Sequence, residues 1–189
     1  QMPSIWYEIH LVGGGLDVIG MSFPGAPGVI VGHNRHIAWG VTNLGPDVQD
    51  LYVEKINTEN PNQYEYEGRW EDMTVIQEEI KVKGREEPVA LKVRLTRHGP
   101  IMTPVVPEAT EQIALRWTAL EGGQLFRSVC MLDRACNWTE FREALHYWDT
   151  PSQNFVFADV EGNIGYQAPG RIPIRAKGEG LVPAPGWNT

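Results

Sequence analysis

Apolar and polar residues alternate along most of this chain with a period of two, the period that sends successive side chains to opposite faces of a strand. Ile5 to Leu11 and Leu16 to Phe23 read as two strands separated by Gly13-Gly14-Gly15, and Pro24-Gly25-Ala26-Pro27-Gly28 forces the next turn. Val29 to Val31, Ile37 to Thr42 and Leu51 to Ile56 read as further strands. From Tyr64 to Met102 the pattern suggests a meander. Within it, Thr74 to Val82 and Val89 to Thr96 place apolar residues at nearly every second position with Lys and Glu between them, which predicts one buried and one wet face.

Toward the C-terminus the period changes. Leu125 to Arg134 predicts a short helix, and the clearest helix begins near Asn137. The Asn137 side chain can accept from first-turn amides, Glu140 follows three positions on as in a capping box, and Phe141, Ala144, Leu145 and Trp148 recur at helical spacing. Pro151 stops that helix shortly after Trp148. Phe155 to Ala158 and Ile164 to Gln167 then read as a hairpin closed by Asp159-Val160-Glu161-Gly162-Asn163, and the last thirty residues are otherwise loop-like.

Composition narrows the functional classes. The 189 residues are 42% hydrophobic and 21% charged, enough for one globular domain or one piece of a larger one. Sixteen Lys and Arg against 24 Asp and Glu leave a formal charge of -8, which argues against a nucleic-acid partner. No apolar run has the length of about 18 residues that a spanning helix needs, so no membrane partner is expected. Cys130 and Cys136 are too few and too badly spaced for a zinc site or a disulfide framework and read as buried or incidental thiols.

Self-contained chemistry is hard to find. Ser4, Ser22, Ser128 and Ser152 all lack the Gly-x-Ser-x-Gly turn of a nucleophile elbow. His33 and His36 are three apart, a metal spacing only on a helix, and their setting reads as turn and strand. Gly178-Glu179-Gly180 is followed by Leu-Val-Pro rather than a helix start, so no phosphate loop is present.

Several blocks nevertheless carry a resemblance. These are Trp6-Tyr7-Glu8-Ile9-His10-Leu11, Phe23-Pro24-Gly25, the run Gly32-His33-Asn34-Arg35-His36-Ile37-Ala38-Trp39-Gly40-Val41-Thr42-Asn43, Asn137-Trp138, Gln153-Asn154-Phe155-Val156-Phe157-Ala158-Asp159 and Pro183-Ala184-Pro185-Gly186. In order and spacing they resemble penicillin acylases, of the N-terminal nucleophile hydrolase superfamily, over most of the chain except about 57–114. The resemblance implies an α+β, β-rich portion of a four-layer αββα fold, with residues 1–189 forming part of the enzyme's β chain. Its partners would be the rest of that chain and the α chain of a self-cleaved precursor, or zymogen, in a periplasmic or secreted setting.

The resemblance also implies a chemistry. It is that of an amidohydrolase cleaving a small-molecule N-acyl amide of the penicillin, cephalosporin or acyl-homoserine-lactone type, with a place in antibiotic biosynthesis. In this family a serine freed at a chain N-terminus attacks, and its own α-amino group, with an ordinary pKa of about 7.7–8.0, is the base. Gln1 is not that serine, so the chain alone is expected to be inactive. The oxyanion donors are expected at the Asn43 N–H and the Asn154 side chain. Arg175 falls where some members place an arginine that orients the serine amine and the asparagine, with Arg171 a competing choice. Val31, Val41 and Gly45 fall in the acyl pocket, and the absence of an aromatic there leaves room for an aliphatic or larger acyl group. Asp47, the Gln49 carbonyl and Asp50 match a structural calcium loop of hard oxygen ligands, and no organic cofactor is implied. A non-catalytic β-rich ligand-binding module is the alternative. A propeller would repeat at about 40–45 residues, and no second copy is seen.

Overall fold

The computed structural model describes residues 4–106 and 110–188. In chain order its strands are β1 (Tyr7–Gly13), β2 (Leu16–Ser22), β3 (Val31–His33), β4 (Ile37–Asn43), β5 (Gln49–Glu54), β6 (Gln63–Tyr66), β7 (Arg69–Asp72), β8 (Thr74–Ile80), β9 (Val89–Thr96), β10 (Gly99–Pro100) and β11 (Gln112–Trp117). The helices α1 (Leu125–Leu132) and α2 (Trp138–Leu145) follow, then β12 (Gln153–Asp159), β13 (Ile164–Gln167) and β14 (Ala184–Pro185). The fold is α+β and strongly β-rich. The chain forms two compact units, one reaching to Pro46 and resuming at Glu121–Ile172, the other taking Asp47–Leu120 and the chain from Pro173 onward. Among the described residues no helix is long and apolar enough to cross a membrane.

The first unit is a six-stranded sheet in the order β1-β2-β3-β4-β12-β13. The three glycines of the first hairpin make the turn, and Gly13 pairs with Leu16. Farther along, Gly20 faces Gly32 across the β2–β3 pair. Here the backbones approach so closely that a Cβ on Gly20 would lie 2.1 Å from the Val31 carbonyl oxygen, so only glycine fits. Helices α1 and α2 cover one face, where Val18, Trp39, Phe155 and Phe157 meet Val129, Leu132, Phe141, Leu145 and Trp148. Burying each large side chain of this kind contributes about 1.5–3 kcal/mol. The aromatic pairs Phe141–Phe157, Trp148–Phe155 and Trp138–Phe157 have ring centroids 4.8–5.2 Å apart, with the tilted and edge-on geometries that their quadrupoles favour.

Helix α2 starts as its sequence dictates. The Asn137 side chain accepts from the Glu140 N–H at 3.0 Å. The Glu140 carboxylate reaches back one residue further than in the standard box and accepts from the Cys136 N–H at 2.8 Å. Its last helical residue is Leu145, and tight turns carry Tyr147 and Trp148, which stays buried, onto the core. Helix α1 lacks a side-chain cap and is fastened tertiarily, with the Ser128 hydroxyl donating to the Ala144 carbonyl at 2.7 Å. Cys130 is half-buried and Cys136 exposed, both free thiols.

Two inward polar residues anchor loops to this core. The Asn34 side chain accepts from the His36 and Ile37 N–H groups at 2.8 and 3.0 Å and donates to the Ala135 carbonyl at 2.8 Å. That makes His33-Asn34-Arg35-His36 a turn pinned beneath α1. Asp133 is buried and accepts from the Val29 N–H at 3.1 Å. Burial pushes its carboxyl up to about 6, against the opposing pull of that hydrogen bond.

The second unit contains three small sheets, β10-β9-β8, β11-β5-β14 and the β6–β7 hairpin. Strand β5 is shifted two residues toward the N-terminus of the expected Leu51 to Ile56, and β11, where Ile113, Leu115 and Trp117 alternate with Gln112, Ala114 and Arg116, is a strand absent from the expected elements. In the β8–β9 hairpin β9 has the expected extent, β8 ends at Ile80 rather than at the expected Val82, and Ile76 pairs with Val93 and Ile80 with Val89. The expected buried face is absent along its distal half among the described residues. Ile76, Ile80, Val89 and Leu91 are each about 40% exposed or more, within a percent or two. Alternation set the register there, but no neighbouring element in this unit covers the apolar side.

Buried polar groups do much of the holding in this unit. Glu54 accepts from the Thr96 hydroxyl at 2.7 Å and pairs with His98 Nδ1 at 2.9 Å, and both ion-pair side chains are almost wholly buried. The His98 ring stacks on Tyr52 with centroids 4.0 Å apart. Tyr64, also buried, donates to Glu71 at 2.8 Å, and burial with that neighbour pushes its hydroxyl up to about 12.

Candidate active site

The candidate residues of the first unit gather at one end of the β4–β12 pair. In that antiparallel pair Gln153 faces Asn43, Asn154 faces Thr42 and Phe155 faces Val41. The Leu44 N–H donates to the Ser152 carbonyl at 3.3 Å. Antiparallel pairs alternate between hydrogen-bonded and non-hydrogen-bonded. The Asn43–Gln153 pair is therefore non-hydrogen-bonded, which leaves the Asn43 N–H outside the β4–β12 ladder. On the other side, β3 pairs with β4 only at Ala38 and Trp39, so β4 runs past the end of its neighbour before it reaches Asn43.

Side chains complete the constellation. Asn154 Nδ2 donates to the Asn43 carbonyl at 3.1 Å, and Gln153 Nε2 donates to Asn43 Oδ1, also at 3.1 Å. Strand alternation sends Gln153, with buried Phe155 and Phe157, to the helix-covered face and Asn154 to the other. Tyr166, on β13, donates its hydroxyl to Asn154 Oδ1 in a short hydrogen bond. An amide nitrogen carries two hydrogens, so Asn154 keeps one for a ligand after serving Asn43. The residues that sequence reasoning singled out as donors, Asn43 and Asn154, are thus in direct contact. It gave no role to Gln153 or Tyr166. The hairpin register could have pointed to Tyr166, since Val156 pairs with Tyr166 and Asn154 is its diagonal neighbour on the same face.

Of the other pocket candidates, Val41 faces Phe155 and so lies on the helix-covered side of the sheet, opposite Asn154. Val31 and Val41 are partly buried and pack against the apolar core. Gly45 holds φ at +76°, which a side chain would resist, and open space lies where its Cβ would be. Ser152, two residues before Asn154, has a buried Oγ with no hydrogen-bond partner and hence no base beside it.

Arg175, Asp47, Gln49 and Asp50 belong to the second unit. Arg175 Nε donates to Asp50 Oδ1 at 2.8 Å and Nη2 to the Asp47 carbonyl at 3.2 Å, with Asp47 Oδ2 3.5 Å away. The Asp50 carboxylate raises the Arg175 pKa above its usual range. Asp47 Oδ1 accepts from the Gln49 N–H at 3.2 Å. Arg171 lies in the first unit, on Asp149 at 2.9 Å. The oxygens of Asp47, Gln49 and Asp50 have the hardness calcium prefers, but calcium takes six to eight of them. Two carboxylates already bridged by a guanidinium fall short of that set. Among the described residues no three of His, Cys, Asp and Glu come together as a metal site.

What this arrangement can do chemically is stabilise a negative oxygen: a ladder-free main-chain N–H and a neutral amide, each fixed by its neighbours, sit at an open strand end. The sequence matches the penicillin amidase family over residues 1–189. It is 34% identical over 187 residues to the acyl-homoserine lactone acylase QuiP of Pseudomonas fluorescens, covering 97% of this chain and 23% of that protein. It is 33% identical to the penicillin G acylase of Escherichia coli, covering 97% of this chain and 22% of that enzyme. The thermostable penicillin G acylase of Alcaligenes faecalis superimposes with a TM-score of 0.86 at 32% identity, over 98% of this chain and 33% of that one. The chain therefore spans about a quarter of the length of the curated relatives it matches. Matched along its whole length in sequence and nearly so in structure, the chain belongs to the penicillin amidase family.

Proposed function

We propose that this chain supplies the oxyanion-binding element of an amidohydrolase that cleaves a small-molecule N-acyl amide through a serine acyl-enzyme. The observation that carries the reading is the junction of Asn154 Nδ2 with Asn43, 3.1 Å from its carbonyl, beside a main-chain N–H left out of the ladder. On this reading the attacking serine and its α-amino base come from a part of the enzyme outside these 189 residues. As the serine oxygen adds to the amide carbon, the carbonyl oxygen gains charge. The Asn43 N–H and the second hydrogen of Asn154 Nδ2 then bind it more tightly than they bound the neutral carbonyl, which lowers the barrier. Collapse of the intermediate expels the amine, and water repeats the sequence on the acyl-enzyme.

Two relatives named for acyl-homoserine lactone and penicillin G support a substrate of acyl-amide type, including penicillin, cephalosporin or acyl-homoserine-lactone compounds. On this reading the lack of an aromatic at Val31, Val41 and Gly45 favours an aliphatic or otherwise bulky acyl group over a tightly gripped aromatic one. Arg175 acts here through Asp47 and Asp50, holding the turn that follows the donor strand. A calcium ion would need oxygens beyond Asp47, Gln49 and Asp50 and a displaced Arg175, and no catalytic step depends on it.

The test is Asn154→Ala in the full-length, processed enzyme. Loss of one oxyanion donor should cut kcat by about 10²–10³ while the thermal unfolding midpoint holds. Near-normal kcat in the folded variant removes Asn154 from the mechanism. Robust amidase turnover by residues 1–189 alone would show that the nucleophile has been misplaced.

A further inference from the structure

We propose that Tyr166 is a positioning residue that holds the Asn154 amide in its productive orientation, an inference resting on the reading of Asn154 as an oxyanion donor. An asparagine amide has two orientations about its last torsion, and they exchange Oδ1 with Nδ2. Only one of them presents hydrogens to a developing oxyanion. Two contacts select it. Nδ2 donates to the Asn43 carbonyl, and Oδ1 accepts from the Tyr166 hydroxyl. Turning the amide over would set Oδ1 against the Asn43 carbonyl oxygen, two lone pairs facing at about the distance now occupied by a hydrogen bond.

The Asn43 contact alone leaves the amide free to tilt, because Asn154 is only partly buried and points to the sheet face that α1 and α2 do not cover. Tyr166 supplies the second fixed point. Its own place is set by main-chain pairing, since β13 locks Tyr166 opposite Val156 and so diagonal to Asn154. A hydroxyl hydrogen bond to Oδ1 also withdraws electron density from the amide and makes its N–H groups better donors, a cooperative effect along the Tyr166–Asn154–Asn43 chain. Tyr166 touches no reacting atom. It works through Asn154.

A double-mutant cycle in the full-length enzyme reads this out. Tyr166 is 57% exposed at a sheet edge, so Tyr166→Phe should fold with an unchanged unfolding midpoint and lose only the hydroxyl. Loss of one such hydrogen bond predicts kcat about fivefold to tenfold lower, with KM within about twofold, because the donor acts on the transition state rather than on ground-state binding. In the Asn154→Ala background the same change should have no further effect on kcat. An equal loss in both backgrounds overturns the proposal, because Tyr166 would then act independently. So does an unchanged kcat in Tyr166→Phe when Asn154→Ala is strongly impaired, and that result leaves the oxyanion reading intact. If Asn154→Ala itself keeps normal kcat, the oxyanion reading fails first and the positioning role falls with it.

Discussion

The two compact units are held together by different physics. In the first, aromatic and aliphatic side chains of α1, α2, β4 and β12 interlock into one apolar core in which Phe141 and Phe155 are fully buried. In the second, the polar groups Glu54, Thr96 and His98 are buried together with a few apolar ones such as Ala114 and Met73, while the apolar side of the distal β8–β9 hairpin stays open. The contrast matters for function. A donor pair that must hold its geometry to a fraction of an ångström needs rigid strands beneath it, and the Asn43–Asn154 junction rises from the aromatic-packed pair β4 and β12. The second unit, with Arg175 spanning Asp47 and Asp50, relies on directional bonds that must all be made at once.

Three perturbations sharpen or break this comparison. The largest effect is expected from Phe155→Ala. Emptying a fully buried aromatic site should cost about 3–5 kcal/mol, seen as a lower denaturant midpoint, and it should loosen the Asn154 strand. A cost under about 1 kcal/mol would mean that the first unit does not depend on its apolar core. In the second unit, Glu54→Ala strips the Thr96 hydroxyl and the His98 ring of their shared acceptor. Losing that buried shared acceptor should destabilise by about 3 kcal/mol. If Glu54→Ala is neutral in the same assay, the polar network is incidental and the contrast disappears.

Asp133 gives the smallest effect and the one with a pH signature, since it is a carboxyl buried in the first unit. Its folded pKa of about 6 lies above the ordinary value of 3.8, so the native state binds the proton more tightly than the unfolded chain does. The resulting stabilisation is full below about pH 4 and is lost as pH rises through about 6, with at most about 3 kcal/mol at stake. Asp133→Asn keeps an acceptor for the Val29 N–H and should flatten that dependence. Urea unfolding at pH values on either side of this window checks it, and an identical slope in wild type and variant would rule Asp133 out as the source.

Much was legible in the residues themselves wherever a local rule decides the outcome. The cap at Asn137, the glycine turn before Leu16, the five-residue loop closing β12 and β13, and the extent of Val89 to Thr96 all follow from hydrogen-bonding capacity, backbone freedom or side-chain period over a few residues. The identities of Asn43 and Asn154 came from blocks of resemblance, because nothing about an isolated asparagine after a strand distinguishes a donor from a turn former. The bounds of β5 and β11 were settled by their pairing with each other over six residues, which puts Ala114 rather than the alternating Ile113, Leu115 and Trp117 deepest in the core.

The chain's sequence by itself therefore determined most of the longer strands and both helices, that acids outnumber bases, and which polar residues were candidates. Only the tertiary structure decided which of these meet. The β4–β12 pairing joins Asn43 to Asn154 across 111 positions of sequence, and β13 then brings Tyr166 to the same amide. It also placed Arg175 on Asp47 and Asp50 and left one side of a well-patterned hairpin uncovered. The reason is physical: period and capping act over a turn or two of chain, whereas a hydrogen bond between distant residues exists only after sheet order and register have been chosen.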